Sequence, residues 1–260
     1  MRSFALWDWL RKRYFDHHLH QKGNWSEFKK HGEAYLFIVH PQNYGVASFF
    51  TFGAHGCKCA KLERLSPLLL MPRLLFYVPI LTDILQYFGG IANSREHIEK
   101  ALGTRKSVVW APLGPMMTSH DIENGIMLQA DALSIDTFEW LVKYGERCSF
   151  KLVPVCHVGE ENVYSNYNAR LPRWIKQIQG YFRKSYDYEW PLAIVGWGGT
   201  FLPKPCTIYT KVGAPVSTMQ MDNGEMVKKS AAQLRSDVIN EYNRLNVKEA
   251  GENDMTLNIE

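Results

Sequence analysis

The chain is short of cysteine, carries little net charge, has no long uninterrupted apolar run, and lacks the glycine- and serine-centred loops of the common nucleotide and hydrolase sites. Its five cysteines, Cys57, Cys59, Cys148, Cys156 and Cys206, are odd in number and follow no framework of spacings, which points to a reducing compartment. Cys57-Lys58-Cys59 has no matching second pair for a zinc site, and His17-His18-Leu19-His20 has no nearby carboxylate or thiol set to complete one. Thirty basic and 26 acidic residues give +4, a mild excess that says little by itself, and nucleic acid is not among the expected partners. The most apolar stretch, Leu65 to Ile91, is broken by Pro67, Pro72, Arg73, Pro79 and Asp83, and falls short of the roughly 18 to 20 continuous apolar residues of a spanning helix. Two readings of it stay open, a segment lying in a membrane interface or lining a lipid pocket, and a buried core hairpin. The first residues lack an apolar core followed by a small-residue cleavage site, so neither a cleavable signal peptide nor secretion is expected. The missing Walker loop, dinucleotide fingerprint and nucleophile elbow count against nucleotide hydrolases, dehydrogenases and serine hydrolases.

What is present is a chain of 260 residues, 46% hydrophobic, that can bury a substantial core as one domain. Strands are expected at 35–40, 107–111, 150–155, 192–195 and 206–212, where short apolar, partly β-branched runs end in Gly, Pro or Asn. Helices are expected at 1–30, in proline-punctuated pieces over 62–88 closed by Gly89-Gly90, at 94–102 with Ser94 as cap, at 137–144 with Gly145 as C-cap, at 170–184 and at 226–245. The alternation describes an α/β protein with a single central mixed sheet flanked by helices. Residues 1–245 form the domain and 246–260 an acidic, flexible tail. The first thirty residues gather Arg2, Arg11, Lys12, Arg13, Lys22, Lys29 and Lys30 with Phe4, Trp7, Trp9, Tyr14, Phe15 and Trp25. That mixture suits an anionic membrane surface, and equally a solvated helix packed on the core.

The segment Tyr35-Leu-Phe-Ile-Val-His40-Pro41-Gln42-Asn43-Tyr44-Gly45 is where chemistry is expected. An apolar strand that ends in His-Pro and a turn puts an imidazole where the backbone is held and the side chain is exposed, at the edge of an α/β sheet. A structural role, with His40 bonded to a loop carbonyl, accounts for the same residues. Cys156 beside His157 could in principle serve a cysteine hydrolase, although a thiolate needs a more open, electropositive site than the end of a buried strand.

Several landmarks recur in a familiar order. They are Tyr35 to Pro41, Gly89-Gly90-Ile91 with Ser94-Arg95, Leu152-Val-Pro-Val155 leading to Gly159-Glu160-Glu161-Asn162-Val163-Tyr164, Arg173-Trp174, Gly196 and Gly198, Leu202-Pro203, and Val212-Gly213-Ala214-Pro215. From about Phe4 to Leu245 the chain resembles the type-2 diacylglycerol acyltransferase family, which includes monoacylglycerol and wax-alcohol acyltransferases. The resemblance implies a glycerolipid-acyltransferase-like fold and transfer of a fatty acyl group from acyl-coenzyme A to a hydroxyl of a neutral lipid, at the cytosolic face of the endoplasmic reticulum or on lipid droplets. It implies His40 as general base. The substrates would be bound by Pro41, Gln42, Asn43, Glu160 and Asn162, with Arg95, Arg173 and Lys176 toward coenzyme A phosphates or in surface ion pairs. Acyl-coenzyme A is a co-substrate, and no metal or redox cofactor is implied. The family commonly has a membrane hairpin ahead of this region, which leaves attachment to the basic aromatic amino terminus and to Leu65 to Ile91.

The chain also departs from the family's pattern. Gln42 and Asn43 stand where His-Gly is usual, and Pro112-Leu113-Gly114-Pro115-Met116-Met117 replaces a Gly-Gly-Glu loop. Ser134-Ile135-Asp136 falls near a basic Arg-Lys-Gly element, and Gly45 stands where simpler glycerolipid acyltransferases carry an aspartate that orients the histidine. Two functions are therefore carried forward, an active acyltransferase and a catalytically inactive relative that binds lipid or regulates. The choice among diacylglycerol, monoacylglycerol and long-chain alcohol stays open, as does the oligomeric state.

Overall fold

The computed structural model describes residues 9, 13–15, 17–21, 33–39, 46–53, 65, 67–71, 73–77, 79–111, 135–145, 147–166, 172–186, 194–200, 202–222 and 225–256. The strands, in chain order, are β1 (His17–Gln21), β2 (Ala34–Val39), β3 (Leu68–Met71), β4 (Gly90–Ala92), β5 (Val108–Trp110), β6 (Phe150–Val158), β7 (Ser165–Asn166), β8 (Ile194–Val195), β9 (Ile208–Val212), β10 (Val216–Ser217), β11 (Met219–Asp222) and β12 (Glu225–Lys228). The main helices are α1 (Pro79–Tyr87), α2 (Arg95–Gly103), α3 (Ile135–Gly145), α4 (Arg173–Tyr186) and α5 (Ala231–Thr256). Eight strands form one mixed sheet in the order β1-β9-β6-β2-β5-β3-β4, with β10 joined to β6. Strands β2 to β6 run parallel, so their carboxyl ends share one edge of the sheet, while β9 runs antiparallel to β6.

β2 sits in the middle because both of its faces are apolar. Ala34, Leu36 and Ile38 join a core with Ile98 and Leu102 of α2, Phe138, Leu141 and Val142 of α3, and Leu234, Val238 and Tyr242 of α5. Tyr35, Phe37 and Val39 point the other way, into a cluster with Phe52, Val109, Val153, Val155 and Val212. All six residues of β2 are at most 2% exposed. Each large side chain buried this way contributes about 1.5–3 kcal/mol, which favours a central strand over any edge position.

β6 is nine residues long and contains Pro154, an unusual residue in an inner strand. β10 pairs with Lys151 and Leu152 and β9 pairs from Val155 onward, so Pro154 lies in the gap between them. A residue's N and C=O point to the same side of a strand, and the Pro154 carbonyl accepts the Gly213 N–H at 2.8 Å. The missing donor therefore faces the corner between β9 and β10, where no ladder bond is lost.

α2 follows its sequence closely. Ser94 is extended at φ −154° and accepts the His97 N–H at 3.3 Å, while Ile98, Ala101 and Leu102 form the buried stripe. Gly89, at φ +81°, ends α1 in the left-handed region that glycine tolerates.

Five expectations are corrected. Residues 1–30 are not one helix, because His17–Gln21 is strand β1, paired in parallel with Ile208–Val212. Residues 62–88 are not helical throughout, because Leu68–Met71 lies between β4 and β5. Tertiary pairing overrides a local pattern at both places. The last helix starts at Ala231 rather than Met226, because Glu225–Lys228 pairs with Met219–Asp222, and the Asn223-Gly224 dipeptide between them is a hairpin signal. That helix continues to Thr256, through the segment whose composition suggests a flexible tail. Gly145 is the last helical residue but is not left-handed. It is required because a Cβ there would lie 2.9 Å from Thr218 Oγ1.

Candidate active site

The carboxyl edge of the parallel strands is where the sequence directs attention, and β2 reaches it at Val39, level with Val155 of β6. His40, Pro41, Gln42 and Asn43 lie outside the described residues. The chain on either side of them is described, up to Val39 and from Val46 onward.

After residue 45 the chain re-enters as a helical turn, Val46–Ser48, that runs into a wider turn, Phe49–Gly53. Contacts of several kinds hold this returning segment to the sheet and to the turn after β6. The Ala47 N–H donates to Glu160 Oε1 at 3.1 Å. Ser48 Oγ lies 3.0 Å from His157 Nε2. The Phe52 ring packs on Phe37 of β2 with centroids 5.0 Å apart. Ala47 also packs with Phe15, Val163 and Ile208 in a small cluster of its own.

His157 follows from the alternation of β6. Val153, Val155 and residue 157 share a face, so a histidine continues an apolar stripe and is 1% exposed. A buried imidazole is tolerated only when hydrogen-bonded. Nδ1 lies 2.9 Å from Thr210 Oγ1, directly across on β9, and Nε2 meets Ser48. Thr51 Oγ1 stands 3.5 Å from Thr210 Oγ1. With a hydroxyl at each ring nitrogen, a neutral imidazole donates to one and accepts from the other.

The loop after β6 turns on Gly159, at φ +91°, where a Cβ would lie 2.2 Å from the Thr207 carbonyl. Glu160 follows and is fully buried, so this expected substrate contact holds the framework through Ala47. Asn162, at the end of the same turn, is exposed near the carboxyl edge. On the opposite face of the sheet, the Tyr242 hydroxyl donates to the Ile38 carbonyl. Complete burial pushes that phenol well above its usual range, and Cys156 adds to the shift.

The remaining candidates lie on α2, α4 and β6. Arg95 opens α2, which follows β4 and packs Ile98 and Leu102 into the core shared with β2. Its guanidinium lies 5.4 Å from the ring centroid of Trp140, whose Nε1 donates to Glu99 Oε1 at 2.7 Å. Arg173 and Lys176 are exposed and one turn apart on α4. Cys156 and His157 point to opposite faces of β6, which removes the cysteine–histidine pair as a hydrolase site. Among the described residues, no group of His, Cys, Asp and Glu could hold a metal ion.

Sequence reasoning missed Ser48, Thr210 and Tyr242, and considered His157 only beside Cys156. The available signal was a polar residue falling on the apolar alternation of a strand.

A family model described as diacylglycerol acyltransferase matches residues 1–251. Diacylglycerol O-acyltransferase 2A of Umbelopsis ramanniana is 26% identical over 238 residues, covering 86% of this chain and 63% of that protein. 2-Acylglycerol O-acyltransferase 1 of Mus musculus is 26% identical over 209 residues, covering 74% of this chain and 58% of that protein. The chain thus spans less than two thirds of these relatives' length. Among solved structures, the 1-acyl-sn-glycerophosphate acyltransferase PlsC of Thermotoga maritima superposes with a TM-score of 0.50 at 13% identity, covering 94% of this chain and 78% of that one. That likeness is one of fold.

Proposed function

Because the chain belongs to the diacylglycerol acyltransferase family, we propose that it is an acyl-coenzyme-A-dependent O-acyltransferase acting on diacylglycerol, monoacylglycerol or a long-chain alcohol. The observation that carries the reading is the place of His40 in the chain, directly after a fully buried central strand and shortly before a segment tied to Glu160 and His157. In this reaction a neutral His40 imidazole removes the acceptor hydroxyl proton as the oxygen attacks the thioester carbonyl. The tetrahedral oxyanion collapses, the carbon–sulfur bond breaks, and coenzyme A leaves as the thiol with the proton returned from His40. Backbone N–H groups after Pro41, with the side-chain amides of Gln42, Asn43 and Asn162, are the donors assigned to the oxyanion and the acyl group. Arg95, Arg173 and Lys176 are assigned to coenzyme A phosphates, and Arg95 on Trp140 offers a fixed guanidinium for that contact. The step as written consumes no redox equivalent and needs no metal.

We assign the protein to the cytosolic face of the endoplasmic reticulum or a lipid droplet, held at the interface. Two exposed helical stripes support this, Ile80, Ile84 and Tyr87 on α1 and Trp174, Ile178 and Tyr181 on α4. α4 also carries Arg173, Lys176, Arg183 and Lys184 and no acidic residue. An apolar stripe with a basic remainder suits an anionic interface. Among the described residues no helix is long and apolar enough to cross a membrane.

The test is acyl transfer from labelled oleoyl-coenzyme A by membranes containing the protein or its His40→Ala variant, offered diacylglycerol, monoacylglycerol and hexadecanol in parallel. The expected outcome is one neutral-lipid product, reduced by about 10²-fold or more in the variant. No product with any acceptor, from folded membrane-bound protein, favours the lipid-binding relative. The substitutions at Gln42, Asn43, Met116 to Met117 and Ser134 to Asp136 are the sequence features on its side.

A further inference from the structure

We propose that Trp140 and Glu99 are positioning residues for Arg95, holding its guanidinium ready for the phosphates of acyl-coenzyme A, so that the protein selects this donor over thioesters without phosphate. The proposal rests on the reading of Arg95 as a phosphate contact in an acyl-coenzyme-A-dependent transferase, which it deepens. β4 runs parallel to β2 through β3 and β5, so the carboxyl end of β4 lies on the same edge of the sheet as the end of β2. Arg95 follows that end, at Ala92, by three residues.

Arg95 and Glu99 stand one turn apart on α2, the i, i+4 spacing at which opposite charges on a helix pair. They do not pair here. Glu99 Oε1 instead accepts the Trp140 Nε1–H at 2.7 Å, and among the described residues no salt bridge joins Arg95 to a carboxylate. The guanidinium lies over the Trp140 ring, 5.4 Å from its centroid, in an exposed side chain. Stacking uses the flat face of the guanidinium and leaves its in-plane N–H donors directed outward. A phosphate takes such a fork in a bidentate contact, and a carboxylate bound to the same fork would block it.

Trp140 is itself held on several sides. Its ring stacks on Tyr144 at 21°, with centroids 6.4 Å apart, and meets Trp110 of β5 edge to face at 6.4 Å. The Tyr144 hydroxyl donates to the Glu99 carbonyl, so α3 is tied to Glu99 through both backbone and side chain. Losing the indole N–H would free the Glu99 carboxylate to pair with Arg95 and close the fork. A purely structural link between α2 and α3 accounts for the same contacts, but it predicts a loss of stability with no preference between donors.

The full chain and the variants Arg95→Ala, Trp140→Leu, Trp140→Phe, Glu99→Gln, and Trp140→Phe combined with Glu99→Gln are assayed with two donors. These are oleoyl-coenzyme A and oleoyl-pantetheine, which keeps the thioester and the pantetheine arm but has no phosphate. Arg95→Ala and Trp140→Leu are expected to raise KM for oleoyl-coenzyme A about 10-fold or more, with kcat and both constants for oleoyl-pantetheine within about twofold of the parent. Trp140→Phe keeps an aromatic face but releases Glu99, and is expected to raise the same KM. Adding Glu99→Gln, which cannot form the ion pair, is expected to recover most of that loss, and Glu99→Gln alone to match the parent. The Phe variants carry the comparison if Trp140→Leu does not fold. Equal losses with the two donors overturn the proposal, as does a loss in Trp140→Phe that Glu99→Gln does not reverse. Trp140 variants that lower Tm without moving KM, while Arg95→Ala raises it, leave the phosphate contact and refute the positioning. An unchanged KM in Arg95→Ala removes the contact and the proposal with it. If the parent chain forms no product with any acceptor, the acyltransferase reading fails by itself, and calorimetric binding of coenzyme A and of pantetheine decides the site. Coenzyme A binding weakened in Arg95→Ala and Trp140→Phe, and restored by Glu99→Gln, sustains the proposal; equal binding in parent and variants, or none, refutes it.

Discussion

His157 and Tyr242 approach the carboxyl edge of the sheet from opposite faces, and each puts a polar group where the core would otherwise be apolar. Tyr242 has a measurable consequence. Its phenol is held neutral by burial, so its pKa in the folded protein lies well above the value of about 10 expected when unfolded. The stability it contributes is therefore fully present below about pH 10 and is lost as pH rises above that value, because only the unfolded chain can then release the proton. Tyr144 adds to the same alkaline limb, its phenol pushed up to about 12 by burial and by Cys148. Tyr242→Phe is expected to cost about 0.5–1.5 kcal/mol at pH 8 through the lost bond to Ile38. It should also flatten, though not abolish, the fall in stability between pH 10 and 11.5. Urea midpoints at pH 8 and pH 11 test both parts, and an unchanged alkaline slope would count against Tyr242 as a source. The bond made by Tyr242 was not legible, because a tyrosine on a helical stripe reads as core until its partner is known, and His157 stood out only beside Cys156.

At the scale of elements, α1 and α4 present a common pattern of apolar residues at i, i+4 and i+7, left on the outside. Trp174 is 62% exposed, Tyr181 66% and Ile80 77%. Replacing Trp174 and Ile178 by Glu together is expected to weaken binding to phosphatidylserine-containing vesicles about 10-fold or more, while Tm shifts by no more than about 2 °C, since neither side chain belongs to the core. Flotation and a thermal melt test the two halves separately. Vesicle binding equal to that of the parent chain would remove α4 from the membrane contact. These helices were legible from periodicity, as was α2 from its Ser94 cap. β3 was not, because Leu68–Met71 sits in a proline-rich apolar stretch without alternation, where helix and buried strand look alike.

The molecule as a whole depends on its amino-terminal segment in a way that local pattern does not reveal. β1 covers the edge of β9, and Phe15, 3% exposed, packs with Ala47 under the returning turn. Removing residues 1–21 is expected to lower Tm by on the order of 5–10 °C and to promote aggregation through the uncovered edge, readable by melting and light scattering. A truncated chain that melts with the parent would show β1 to be dispensable. By itself the sequence determined the two-faced apolar character of 35–39, the cap and stripe of α2, the α/β alternation and the ordered landmarks of the family. Each of these is written within a few residues, by side-chain size, periodicity and turn chemistry. Only the tertiary structure decided that β1 pairs with β9, that Arg95 lies on Trp140, and that His157 joins Ser48 and Thr210 across 109 and 53 residues of chain. Those partners are selected by which faces the packed sheet brings together, and the separations are far longer than any window in which neighbouring residues influence one another.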